Sequence, residues 1–211
     1  MRKVAGLLRV LAYVRAKHIP FQTQAMSVDY FGKYFNSQSF DFPSLINDDF
    51  IAPIRLLYQN KHYVSATKLL MIFIDSIGYV EYGNTIDNPF IKWLVTYTDL
   101  TSVGVSPEEL WEHRNSLLHM SNLDSRKVLD GKVKRLMLYV GVLPSSIHSE
   151  TSDMKYYSLQ ILILSVVTAC GKWFESYNTD RAKMESFVKR YDLIASDNRM
   201  LWIDVSERSI G

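Results

Sequence analysis

Between Val64 and Phe73 the chain is apolar on nearly every side of a helix, through Val64, Ala66, Leu69, Leu70, Ile72 and Phe73. A helix that is apolar all round has no solvent face and is stable only when other elements surround it. That stretch therefore confines the chain to a packed helical core or a membrane. The longest charge-free run, Tyr156 to Gly171, is shorter than the roughly 20 residues of a span and carries Ser158, Gln160, Ser165 and Thr168. No membrane span is expected, and both stretches read as core helices.

The flanking segments supply the surrounding helices. Asp48 and Asp49 are placed to cap a helix running to about Gln59, and the apolar helix runs from about Tyr63 to Ile77, ending at Gly78. Asn88-Pro89 starts another helix through Phe90, Trp93, Leu94 and Tyr97, and the short loop Thr101 to Val105 makes it an antiparallel neighbour of the next. Asp130-Gly131, between Ser125-Arg-Lys-Val-Leu and Lys132-Val-Lys-Arg-Leu-Met-Leu-Tyr-Val, predicts a small hairpin or extended segment. Helices of about Met154 to Tyr177 and Asp180 to Ile194 complete a mainly α fold. The expected organisation is a basic arm and connection over 1–44, a helical domain over 45–195 and a tail over 196–211.

Lys and Arg number 24 against 22 Asp and Glu, so any nucleic-acid role must rest on local clusters rather than on net charge. One such cluster is the first 28 residues, which hold Arg2, Lys3, Arg9, Arg15 and Lys17 and no acid. Its apolar residues recur at helical spacing, as in an arm that packs on the body or a partner. Arg9 interrupts the core a secretory signal needs, and an acid-poor transit peptide is the other alternative. Cys170 is the single cysteine, which excludes an intramolecular disulfide and a cysteine-based zinc site and suits a reducing cytoplasm. The histidines lack metal-ligand spacing, and there is no glycine-rich phosphate loop or Gly-x-Ser-x-Gly elbow. Neither a metal nor a cofactor is expected.

The most informative helix starts at Ser106-Pro107-Glu108-Glu109, where Ser106 caps, Pro107 takes the first position and Glu109 completes a capping box. It should run to about Ser121. Leu110, Trp111, Leu117 and Leu118 fall on one side of it, and Arg114 lies inside their arc. A guanidinium there needs a partner, and Asp75 or a backbone carbonyl is the structural choice. Asn115 and His119 are four residues apart and neighbour each other on the flank, with Glu108 and Glu112 behind.

Leu110-Trp-Glu-His-Arg-Asn-Ser-Leu-Leu-His119 resembles the signature of the HEPN superfamily, the higher eukaryotes and prokaryotes nucleotide-binding domains, whose mark is Arg, a polar residue, a few spacers and His. Ser65-Ala66, Ile74-Asp75 and the segment Ser125 to Tyr139 are similar to uncharacterised bacterial members, and the resemblance covers about Asp48 to Tyr177. It implies a helical, often dimeric domain and, in many members, a metal-independent endoribonuclease of toxin-antitoxin or defence systems. Other members only bind RNA or nucleotides.

On that reading His119 serves as general base or acid, because an imidazole titrates near neutrality. Arg114 holds the phosphate and offsets transition-state charge, Asn115 orients the imidazole or bonds the phosphate, and Glu112 and Asp75 support them. On an α-helix, Arg114 and His119 are about 140° apart around the axis and about 7.5 Å along it. Two such helices packed across a two-fold axis would bring both sets to one cleft. Arg126, Lys127, Lys132, Lys134 and Arg135 would then contact RNA phosphates, with Tyr139 or Trp111 stacking on a base. Plainer roles stand beside these: a structural Arg114, a His119 that complements the helix dipole, a core Trp111 and a merely solvated basic face. The corresponding alternative is a non-catalytic helical module that binds nucleotide, RNA or a protein.

Overall fold

Helix formation begins at Asp41, whose carboxylate accepts the backbone N–H of Ser44 at 3.1 Å. From there α1 (Phe42–Ile46), a π-helical turn (Asn47–Ile51) and α2 (Ala52–Gln59) follow without a break. Asp48 and Asp49 do not cap a helix; they sit inside the π turn, where Asp48 accepts from Tyr34 Oη at 3.0 Å and Asp49 from Tyr191 Oη. The computed structural model describes residues 34, 40–120, 123–178 and 180–194, all within one compact unit. The basic arm and the tail over 196–211 lie outside the described residues. Because Phe42 is buried against Trp173, Phe174, Tyr177 and Phe187, with ring centroids 4.2–5.2 Å away, packing starts before Leu45. Edge-on aromatic pairs of this kind contribute about 0.5–1.5 kcal/mol each beyond their area.

The apolar stretch forms α3 (Tyr63–Tyr82), which buries Ala66, Leu70, Met71, Phe73, Ile74 and Ile77. Its mean hydropathy of 1.3 and 20-residue length would suit a membrane, but half of it is buried inside the fold, as in a core helix. The helix continues past Gly78, where the sequence predicts its end. A Cβ on Gly78 would lie 2.7 Å from the Pro89 carbonyl oxygen, so this glycine allows two helices to touch instead of stopping one. Termination comes at Gly83, in the left-handed region at φ +69°.

Asn88 caps α4 (Pro89–Tyr97) by accepting from Phe90 N at 3.0 Å, and α4 packs on α3 and α5. Then α5 (Pro107–Asn115) opens with the expected capping box: Ser106 Oγ accepts from Glu109 N at 3.1 Å and Glu109 Oε2 from Ser106 N at 2.7 Å. Beyond Asn115 the helix widens into a π turn, Ser116–Met120.

The Asp130-Gly131 hairpin does not form. Ser125 caps a single turn, α6 (Arg126–Leu129), and Gly131, at φ +69°, lies just beyond its end. Asp-Gly suits a left-handed glycine in either setting, a helix stop or a hairpin. The extended half of the expectation is present as β1 (Arg135–Tyr139), which pairs in parallel with β2 (Met154–Ser158). Met154 to Ser158 therefore belongs to a strand, and the long helix α7 (Leu159–Asn178) begins five residues later than its expected start; α8 (Arg181–Ile194) follows. The fold is mainly α with a two-stranded parallel sheet.

α8 is fastened to the bundle by charge. Lys183 Nζ lies 2.6 Å from Glu81 Oε1, and Glu81 also accepts from Tyr97, Trp173 and Tyr177, each at 2.8 Å. Burial would raise the Glu81 carboxyl, but these donors outweigh it and hold it below the usual carboxylate range. The Arg190 guanidinium donates to the carbonyls of Val80 and Glu81 at 2.9 and 2.7 Å, satisfying the open end of α3.

Candidate functional site

Arg114 leaves α5 toward α3. Its Nη2 donates to Asp75 Oδ2 at 2.5 Å, its Nη1 donates to Asn115 Oδ1 at 3.1 Å, and the same Nη1 lies 3.0 Å from His119 Nε2. The guanidinium also lies over the Trp111 ring, 5.0 Å from its centroid, and Trp111 packs on Phe90. The Arg114 side chain is 15% exposed, Asp75 37%, and His119 is exposed. Four of the five residues of the expected site thus meet around one cation: Arg114, Asn115, His119 and Asp75.

The π turn makes this possible. In an α-helix residues i and i+5 point apart, whereas a π turn closes i→i+5 hydrogen bonds and carries residues five apart toward one side. Arg114 and His119 are five apart, so they meet within a single chain, and their convergence does not need a second subunit. Because a guanidinium only donates, Nε2 of His119 must be the acceptor in this contact. Both terminal nitrogens of Arg114 are engaged, and its Nε is buried without a partner. Together the groups form a fixed cation beside an exposed imidazole, chemistry suited to holding an anion and moving a proton.

Glu112 does not join them. It is buried on the opposite flank, where Ser125 Oγ donates to it at 2.8 Å and Lys127 Nζ lies 3.0 Å away. Its role is to tie the segment before α6 back to α5. The basic residues are likewise committed: Lys127 to Glu112, Lys132 to Asp130 at 3.3 Å, Lys134 to Glu150 at 2.7 Å and Arg135 to Asp124 at 2.6 Å. Arg126 is exposed and forms no such pair among the described residues. Tyr139 lies in β1, half-buried. Two shallow depressions flank α5, one lined by Leu94, Asp99, Leu100 and Pro107, the other by Glu108, Lys132, Lys134 and Lys155. Arg114 and His119 lie outside both. No three His, Cys, Asp or Glu side chains among the described residues converge as metal ligands would.

Beside Arg114 the sequence conceals a buried polar pair. His113 is 3% exposed, and its Nε2 is 3.0 Å from the Oη of the buried Tyr157. The other ring nitrogen, Nδ1, is buried without a partner. Burial pushes the His113 imidazole down to about 4 and raises Tyr157 above its ordinary value. This contact pins β2 to α5 at the residue preceding Arg114. No motif flags it, because Tyr157 is 44 positions away on a strand whose sequence reads as helix. No family model, no curated protein and no solved structure matches this chain.

Proposed function

We propose that this protein is a HEPN-like, metal-independent endoribonuclease that cleaves RNA by attack of the 2'-hydroxyl on the adjacent phosphate. The observation that carries the reading is the 3.0 Å approach of Arg114 Nη1 to His119 Nε2, with Asp75 fixing the guanidinium from the other side. In the reaction, a scissile phosphate takes the Arg114 donor that His119 holds at rest. The freed Nε2 accepts the 2'-hydroxyl proton as O2' bonds to phosphorus. The bond to the 5'-oxygen breaks, that oxygen takes a proton from water, and the His119 imidazolium returns its proton to solvent, giving a 2',3'-cyclic phosphate and a 5'-hydroxyl. Arg114 offsets the charge that builds on the phosphoryl oxygens, and Asn115 holds Arg114 in register. The same resemblance brings a homodimer, a toxin or defence setting and an antitoxin-like partner into the proposal.

One observation favours the non-catalytic module instead. Arg114 is stacked on Trp111 and bonded to Asp75, as a structural arginine would be, and four of the five neighbouring cations are already neutralised. Incubating the purified chain with mixed RNA in EDTA separates the two. The enzyme reading expects cyclic-phosphate ends from the native protein and none from Arg114→Ala or His119→Ala. Cleavage that persists in both variants, or a native protein that binds RNA and never cuts it, overturns it.

A further inference from the structure

We infer that the outer edge of β1 is a pairing surface for the same edge of a second copy of this chain. Arg135 N–H donates to the Asp153 carbonyl at 2.9 Å, and β1 runs in register from Arg135 opposite Met154 to Tyr139 opposite Ser158. Backbone groups alternate in direction along a strand, so Arg135, Met137 and Tyr139 face β2, while Leu136, Leu138 and Val140 turn their N–H and C=O outward. The far edge of β2 is already occupied, since Tyr156 N–H donates to Ser149 O and Thr151 N–H to Met154 O, both at 2.8 Å. Leu136 and Leu138 have no such backbone partner among the described residues. α5 does not cover this edge. It crosses a face of the sheet, where Lys155 and Tyr157 reach Glu109 and His113 on the side that also carries Leu136 and Leu138.

Open edges are normally blunted by proline, a bulge or charge, because an unpaired apolar strand recruits another. From Leu136 to Val140 this edge has neither proline nor charge, and Val142 just beyond is 92% exposed. Its complement is itself. Turned antiparallel about Met137, two copies set Leu136 opposite the partner's Leu138, and these are the residues whose outward groups must exchange hydrogen bonds. Arg135 falls opposite the partner's Tyr139 and Lys134 opposite the partner's Val140, so no like charges meet. A parallel approach would place Arg135 beside the partner's Arg135, which is unfavourable. The product is a four-stranded sheet in the order β2-β1-β1-β2, in place of a two-stranded sheet that is marginal alone.

The inference does not rest on the catalytic reading, whose own test is RNA cleavage. Met137 lies at the two-fold, opposite its own copy and on the face away from α5, so it tests the pairing without opening the core. By sedimentation at micromolar concentration, the native protein should be a dimer, while Met137→Lys and Met137→Glu should each be monomers with unchanged circular dichroism. Mixing the two variants should restore a dimer. Leu138→Pro, which deletes an outward N–H and leaves the β1–β2 ladder its bonds, should also be monomeric. A monomeric native protein, dimers that persist in both single variants, or a mixture that stays monomeric overturns the proposal.

Discussion

Acidification should weaken this protein through His113, and the size of the loss follows from where that ring sits. An imidazole titrates near 6.5 in the unfolded chain, whereas burial holds His113 at about 4 in the folded one. Above pH 6.5 the ring is neutral in both states and costs nothing. As pH falls below 6.5 the unfolded chain takes up a proton that the folded one refuses, and stability drops until the folded ring protonates near 4. Linkage sets the loss at about 2 kcal/mol by pH 5 and about 3 kcal/mol by pH 4. His113→Gln is the control, because its side-chain amide can donate to Tyr157 near the position of Nε2 and does not titrate. Carboxylates add their own acid sensitivity to both proteins, so the informative quantity is the difference between two urea-denaturation series at pH 7.5, 6.5, 5.5 and 5, all of order the unfolded imidazole's range. The native protein should lose about 2 kcal/mol more than the variant across that range. Parallel curves would refute the buried neutral imidazole and, with it, the pairing of His113 with Tyr157.

Two further perturbations test the packing that positions the site. Gly78→Ala drives a Cβ to 2.7 Å from the Pro89 carbonyl and should cost about 1–3 kcal/mol, read as a lower Tm by calorimetry; a neutral effect would mean that α3 and α4 do not touch there. Glu81→Gln leaves Lys183 without its carboxylate on a largely buried network and should cost about 3 kcal/mol, with α8 becoming the first segment cut in limited proteolysis. Loss of stability without that local sensitivity would contradict the role of this pair in fastening α8.

Much of the helical architecture was legible because its signals are local. The Ser106 capping box, the Asn88 cap with Pro89 and the apolar periodicity of α3 act through neighbours within a turn or two. The strand over Met154–Ser158 was not legible. Met-Lys-Tyr-Tyr-Ser adjoins the long apolar helix and merges with its pattern, and only pairing with β1 makes it extended. Gly78 was misread for a related reason: a glycine in a helix looks like a stop until the neighbouring helix that needs the space is known.

At the site the division is sharper. Residue identities and their spacing already assembled Arg114, Asn115 and His119 on one helix, and the burial of a cation in an apolar arc already demanded a partner such as Asp75. Tertiary structure decided three things: that the helix widens after Asn115 so that residues five apart meet within one chain, that Glu112 turns away to Ser125 and Lys127, and that the flanking cations have carboxylates of their own. Each depends on which side chains face one another across separate elements. Backbone propensity and capping act over a few residues, so sequence alone carries them, whereas hydrogen bonds and ion pairs between distant segments exist only once the core has brought those segments together.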